Sequence, residues 1–205
     1  METRQRGNPR SQSPRIYRQD LRAQQTDANT ARILDATLSL IAAAPRLSQI
    51  TLEDIARESG LTVRTILRRF GSRDRALEAG FARLKEEFGR MRVAPPAGDL
   101  KATVKSLLDQ YEQIGPLNMR ALEQEHELPL LHQTLDEARR YHREWLAEVF
   151  APNLARFAVD ERERRLTALY AATDIYLWKL LRRDLKCGRR QTEDTFGRLI
   201  SGVLA

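Results

Sequence analysis

The residues between 62 and 69 combine cationic, hydroxyl and small apolar side chains, the types that contact double-stranded DNA. An arginine can donate two parallel hydrogen bonds to guanine O6 and N7, and valine or threonine methyl groups can meet the methyl group of thymine. A threonine and the free backbone N–H groups at a helix start can hold a phosphate. The predicted DNA contacts of the chain are Thr51, Thr62, Val63, Arg64, Thr65, Leu67, Arg68, Arg69 and Arg73.

Local spacing predicts how these side chains are positioned. Residues 51–70 read TLEDIARESGLTVRTILRRF, which is the pattern of a helix-turn-helix. Thr51 with Asp54 three residues later predicts a capping box at the start of the first helix. Gly60 suits the left-handed backbone that ends this helix, and Thr62 is placed to cap the second.

The second helix of the pair has one apolar side and one free side. Ile66 and Phe70 lie four residues apart and are predicted to bury it against the first helix. A cationic free face is also typical of an ordinary core helix in water, so the pair alone does not decide for DNA. The charge distribution favours DNA, because residues 1–80 carry 14 Lys and Arg against 9 Asp and Glu, whereas residues 81–205 carry 21 against 19.

Together with the helix before it, this segment resembles the DNA-binding domain of the tetracycline-repressor (TetR) family. The resemblance lies in ARILDATLSLIAA (31–43) and TLEDIARESGLTVRTILRRFGSRDRAL (51–77), about a quarter of the chain. Its motifs are ILDA, then T-x-x-x-I-A-x-x-x-G, then RTILRRF after a threonine cap, then FGSRDxxL opening a fourth helix. The resemblance implies an all-α homodimer with a small-molecule pocket in its C-terminal domain.

Two positions depart from the family pattern. Leu67 stands where family members often have a tyrosine that contacts phosphate, so that contact is not expected here. Arg64 stands where a glycine is common, which adds a candidate base contact. Arg73 matches a lysine often found just before the fourth helix and keeps its positive charge.

The whole chain is predicted to be all-α, because β-branched residues never alternate over a strand length. Residues 1–25 are rich in Arg, Gln, Pro and Ser and predict a disordered basic arm. The expected domains are a three-helix DNA-binding domain (26–75) and a helical ligand-binding and dimerisation bundle (76–205). Further helix boundaries are predicted at Pro45, VAPPAG (93–98), Gly115-Pro116, Pro129 and Ala151-Pro152, with one long helix over 160–185.

The C-terminal half offers candidates for two further sites. The apolar faces of 160–185 and of the last helix suggest a four-helix interface between two copies, although the same residues are also typical of an internal core. The interface candidates are Leu166, Tyr170, Leu177, Leu181, Phe196, Leu199, Ile200 and Val203. The pocket that the resemblance implies has as candidates Tyr111, Leu117, Met119, Leu122, His126, Tyr141, Trp145 and Trp178.

Other function classes find no support in the residues. The single cysteine, Cys187, excludes an internal disulfide and a cysteine-based zinc site. Glu123-x-x-His126 has the spacing of one half of a di-iron site, but no second such pair exists. No apolar stretch could span a bilayer, and the Arg-rich start is not a secretory signal, so a cytoplasmic protein is expected. We therefore expect no catalytic residues, metal, cofactor or membrane association.

These observations favour a homodimeric transcriptional repressor that a small molecule releases from a palindromic operator in double-stranded DNA. One alternative is an activator, or a regulator whose ligand promotes DNA binding, since the sequence does not set the sign of the response. Another is a helical small-molecule-binding protein or enzyme that has lost DNA binding.

Overall fold

A computed structural model describes residues 14–91 and 95–205, and every regular element in these ranges is helical. This confirms the all-α class for the described residues. The elements are α1 (Pro14–Ala43), a 3-10 turn (Leu47–Gln49), α2 (Leu52–Ser59), α3 (Val63–Phe70), α4 (Arg73–Met91), α5 (Leu100–Glu123), α6 (Pro129–Val149), α7 (Ala151–Leu154), α8 (Val159–Ala172), α9 (Ile175–Lys179), a π-helical turn (Leu180–Asp184) and α10 (Arg189–Leu204).

The N-terminal core holds α2 and α3 against α1 and α4. Ile33 and Ile41 of α1, Ile55 of α2 and Ile66 of α3 are all fully buried in it. A β-carbon on Gly80 of α4 would lie 2.9 Å from the Thr37 side chain, so the glycine allows α4 and α1 to cross closely. This packing fixes the orientation of α3 and leaves its opposite face uncovered.

The C-terminal core is centred on Trp178, which is fully buried. A β-carbon on Gly115 would lie 2.4 Å from the Trp178 ring, so the indole packs directly on the α5 backbone. The Trp178 indole N–H donates to Glu112 (3.2 Å), and the Tyr111 hydroxyl donates to the Thr173 carbonyl (2.7 Å). The polar edges of these aromatic rings are therefore satisfied inside the core.

The first helix begins at Pro14 rather than near Asp27, so the disorder predicted for residues 14–25 is wrong. These residues include several good helix formers, and the packed part of α1 supplies the nucleus from which a helix extends at one hydrogen bond per residue. The rest of the predicted basic arm, residues 1–13, lies outside the described residues.

Pro116 does not end a helix, contrary to the prediction, because α5 continues through it to Glu123. A proline inside a helix costs about 3 kcal/mol through the lost N–H and a steric clash. Packing on both sides offsets this cost: Tyr111 is buried in the C-terminal core, and Ala121 is buried in the N-terminal core. Alpha-helix α5 thus spans the two cores in one piece.

The long helix predicted for 160–185 is also wrong, since the chain breaks after Ala172. The Thr173 hydroxyl donates back to the Leu169 carbonyl, and the Asp174 carboxylate accepts from the Tyr176 N–H (2.9 Å) to start α9. An aspartate inside an apolar run was the available signal, because Asp favours a helix N-cap. No helix within the described ranges has the length and apolar character needed to cross a membrane.

Candidate nucleic-acid interface

The first helix of the predicted pair begins and ends as its sequence indicates. The Thr51 hydroxyl accepts from the Asp54 N–H (3.1 Å), and the Asp54 carboxylate accepts from the Thr51 N–H (3.0 Å), which confirms the capping box. The Thr51 hydroxyl also donates to the Asp54 carboxylate (2.7 Å), and this hydrogen bond, followed by those from the Thr51 N–H and Arg57, lowers the pKa of Asp54 to about 2. Gly60 adopts a φ of 64° at the C-terminus, where Arg32 donates to the Ser59 carbonyl (2.7 Å).

The second helix, α3, is fixed at its start and along its buried side. The Thr62 hydroxyl accepts from the Thr65 N–H (3.2 Å), so the predicted cap is confirmed. Ile66 is fully buried and Phe70 packs beside it against the N-terminal core, again as the spacing predicts. Helix α3 therefore cannot rotate without losing both its cap and its apolar contacts.

The opposite side of α3 carries cations that nothing in the described structure neutralises. Arg64, Arg68 and Arg69 are exposed, and none of them forms an ion pair with another described residue. Leu67 is exposed among them, with 40% of its surface accessible. We call Arg64, Leu67, Arg68 and Arg69 the free face of α3. Val63 and Thr65 flank it and are half-buried.

Two nearby arginines are instead held within the protein. Arg57 pairs with Asp54 on α2. Arg73 pairs with Asp74 and donates to the Ser48 carbonyl (3.2 Å), so it ties α4 to the turn before α2. Its predicted phosphate contact remains a prediction, and any such contact must compete with these bonds. The sequence analysis missed Arg75, an exposed arginine beside Gly71 at the end of α3, whose signal was its position just beyond Arg73.

Side chains at the end of α5 and just after it form hydrogen bonds with the end of α1 and the turn between α1 and α2. Arg120 donates to the carbonyls of Ile41, Ala42 and Ala44, which closes the C-terminus of α1. The buried Gln124 accepts from the Leu47 N–H (2.7 Å) and donates to the Pro45 carbonyl (3.2 Å). The Glu127 carboxylate accepts from Arg46 and Ser48. We call Arg120, Gln124 and Glu127 the junction clasp.

The residue next to Gln124 faces the other way and joins α6. Both oxygens of the Glu125 carboxylate accept from Arg139 (2.7 and 2.6 Å), and one also contacts His132 (3.0 Å). These hydrogen bonds, chiefly those from Arg139, lower the pKa of Glu125 to about 2. Glu125, His132 and Asp136 lie close enough to hold a metal ion, but Arg139 already occupies both oxygens of Glu125. The arrangement is therefore an ion-pair network.

Only half of the eight predicted pocket residues come together in one core. Tyr111, Trp145 and Trp178 are buried in the C-terminal core, and Met119 packs against it. The uninterrupted α5 turns Leu117 and Leu122 towards the N-terminal core. His126 is exposed in the turn after α5, and Tyr141 is exposed on α6, so neither packs in the C-terminal core with the others.

Two clefts of the described surface lie away from these residues. The first lies between α4 and the start of α6 and includes Arg73, Leu77 and Leu128 in its lining. The second lies beside Arg32 and Glu58, where α1 meets α2. Both clefts therefore involve the N-terminal helices rather than the C-terminal core.

The predicted dimer residues also separate into groups. Leu181, Phe196 and Ile200 are buried within a single copy, so their assignment to an interface is wrong. They pack in the C-terminal core together with residues of α8 and α9. The half-buried members are Leu166, Tyr170, Leu177 and Val203. Leu199 is exposed on α10. Tyr176 on α9 and Leu180 on the π-helical turn are also exposed, although neither is among the predicted interface residues.

Comparison with known structures shows which fold this is. A protein from Rhodococcus sp., assigned to the TetR family of transcriptional regulators, is similar with a TM-score of 0.64 and 14% identity over 87% of this chain and 100% of that chain. A TetR transcriptional regulator from Rhodococcus sp. RHA1 gives a TM-score of 0.48 and 16% identity, over 86% and 97%. No protein-family model and no curated protein matches the chain. The first similarity shows that the two proteins share a fold.

Proposed function

We propose that this protein is a sequence-specific transcriptional regulator that binds a palindromic operator in double-stranded DNA as a homodimer. The observation that carries the proposal is the free face of α3, with three arginines that have no ion-pair partner among the described residues. The helix bearing them is capped by Thr62 and fixed by Ile66. A rigid helix with an unneutralised cationic face suits a polyanion, and the similar fold of a regulator supports DNA.

The dimensions and chemistry of α3 suit the major groove. An α-helix fits that groove, and the residues of its first turns meet the base edges. In this arrangement Arg64 contacts a base, and Thr62 with the free N–H groups of the first turn holds a phosphate. Arg68 and Arg69 lie further along the helix and reach the flanking backbone. Thr51 serves mainly to position α2, because its hydroxyl is engaged with Asp54.

A homodimer follows from reading a palindrome, since paired recognition helices contact half-sites about 34–36 Å apart. Helices α8 and α10 pack on each other and form the proposed interface, with Leu199 exposed on the outer side of α10. The half-buried Leu166 and Tyr170 of α8 and Val203 of α10 complete the apolar surface that a second copy would cover. Because such an interface is isologous, one surface serves both copies.

A small-molecule effector is the finer part of the proposal, and we favour a repressor that the effector releases. The C-terminal core contains aromatic rings with polar partners, a composition typical of ligand sites. Trp178 fills the space against Gly115, so a ligand entering there has to move the indole. The ligand then shifts the DNA-binding equilibrium only by the difference between its affinities for the two conformations.

The direct test is a mobility-shift assay on DNA upstream of the gene, over a salt series, with light scattering to measure the mass in solution. We expect a dimer that prefers this DNA to a scrambled duplex. Arg64→Ala should reduce the preference by about 1–3 kcal/mol. Arg140→Ala, which removes an exposed arginine from α6, is the matched control and should leave the preference unchanged. A monomer, or equal binding of both duplexes, would favour a helical small-molecule-binding protein or enzyme instead.

A further inference from the structure

One apolar side chain stands out in the free face of α3. Among the residues of α1–α4 whose side chains the structure describes, Leu67 is the one large apolar residue that is exposed. It lies between Arg64 and Arg68, which are three residues before it and one residue after it. On a helix, residues three and four apart are neighbours, so Leu67 adjoins the Arg64 side chain on the same face.

A leucine limits what the centre of this face can recognise. Its side chain cannot hydrogen-bond a phosphate or a base edge, and contact with an apolar group is the favourable interaction left to it. The apolar group that DNA displays in the major groove is the C5 methyl of thymine. The neighbouring Arg64 carries the two-pronged donor set that matches guanine O6 and N7.

The spacing of the two side chains limits how far apart these bases lie. Three residues of helix correspond to a rise of about 4.5 Å, and base pairs follow one another at roughly 3.4 Å. Side chains separated by one helical turn therefore reach base pairs one or two steps apart.

Resting on the proposed function, we infer that each operator half-site contains a guanine contacted by Arg64 and, one or two base pairs away, a thymine whose methyl group Leu67 covers. This assigns Leu67 a role in base selection rather than in binding the DNA backbone. The cation-rich surroundings supply affinity, and the leucine supplies a preference that no charge can provide.

The test begins with an operator selected by the full-length chain from a random duplex library. Each thymine of one half-site is then replaced by uracil, which lacks the methyl group, and each guanine by 7-deazaguanine, which lacks the N7 acceptor. For the wild-type protein, one uracil position should weaken binding about fourfold. One deazaguanine position, one or two base pairs away, should weaken it about fivefold or more.

Variants then assign each base to its side chain. Leu67→Ala should lose the response to uracil and keep the response to deazaguanine, whereas Arg64→Ala should do the reverse. Leu67→Ala is expected to fold normally because the leucine is exposed and alanine is a strong helix former, which circular dichroism checks. Leu185→Ala removes an exposed leucine outside the free face and should keep both responses.

The outcomes distinguish this inference from the proposed function. Selective binding that tolerates uracil at every position, or an unchanged uracil penalty in Leu67→Ala, would overturn the role of Leu67 while leaving the regulator intact. A library that yields no preferred sequence would contradict the proposed function, and the inference would fall with it.

Discussion

The arginines on the free face of α3 and those on α5 and α6 are of one residue type but differ in their partners. Arg64, Arg68 and Arg69 have no ion-pair partner among the described residues. Arg120 and Arg139 hold the α1 carbonyls and the Glu125 carboxylate. Net positive charge therefore does not mark the functional surface of this chain. Arginines with protein partners fix the relative placement of helices, and those without remain available for another molecule.

The comparison predicts that the junction residues matter for stability and the free face matters for DNA binding. The largest loss of stability is expected for Gln124→Leu. The substitution leaves the buried Leu47 N–H without its partner and removes one hydrogen bond from the carbonyl of the exposed Pro45, at a total cost of about 3 kcal/mol. Urea denaturation measures it. Gln133→Leu changes an exposed glutamine of α6 and should alter the free energy of unfolding by no more than about 0.5 kcal/mol. An equal loss of stability in both variants would show that the hydrogen bonds of Gln124 are not its source.

A smaller loss, about 2 kcal/mol at neutral pH, is expected for Glu125→Gln, because Arg139 loses its charged partner. The folded state lowers the pKa of Glu125 from 4.5 to about 2. The carboxylate therefore stabilises the fold above about pH 4.5, and this contribution fades as the pH falls towards 2. The stability difference between wild type and variant should shrink over that interval.

Denaturation at several pH values provides the measurement for Glu125→Gln. Glu123→Gln, two positions earlier and exposed, is the control whose stability should follow the wild type. A stability difference that persists unchanged at pH 2 would show that the carboxylate charge is not the source of the effect.

The smallest effects on stability are expected for the arginines in and next to α3. Arg73→Ala should cost about 1 kcal/mol, because Ser48 and Asp74 lose a partner. Arg68→Ala should stay within about 0.5 kcal/mol. The expected order of the two variants is reversed for DNA binding. Arg68→Ala should lower the slope of the logarithm of the binding constant against the logarithm of the salt concentration by about 1, and Arg73→Ala by less. Thermal melts and salt-dependent titrations test both, and a slope that drops more for Arg73→Ala would place the phosphate contact there.

The parts of the fold that could be predicted are those with local determinants. The ends of α2 and α3 depend on Thr51, Asp54, Gly60 and Thr62, each acting within three or four residues of its position. Their geometry follows from capping preferences that any chain shares. The free face of α3 follows from the same short-range pattern, which is why its exposed residues could be predicted from the sequence, whereas their contacts with DNA stay a prediction.

The parts that could not be predicted depend on residues far apart in the chain. The Gln124 side chain accepts a hydrogen bond from the Leu47 N–H, 77 positions away in the chain, and no short-range sequence pattern predicts such a pair. The continuation of α5 through Pro116 likewise depends on two separate cores that bury its two halves. Tertiary packing sets the helix phase after Pro116, and it turns the predicted pocket residues Leu117 and Leu122 towards the N-terminal core.

Because Trp178 is buried against Gly115, the intrinsic tryptophan fluorescence of the chain can report on changes in this part of the core. Trp145 and Trp178 are its two tryptophans, and both lie in the C-terminal core. Indole emission thus reports on the C-terminal core only, because the chain has no tryptophan near α3 in sequence or in the N-terminal core. A ligand that displaces Trp178 would shift the emission towards the red as the ring meets water, whereas docking of α3 onto DNA would leave the colour unchanged.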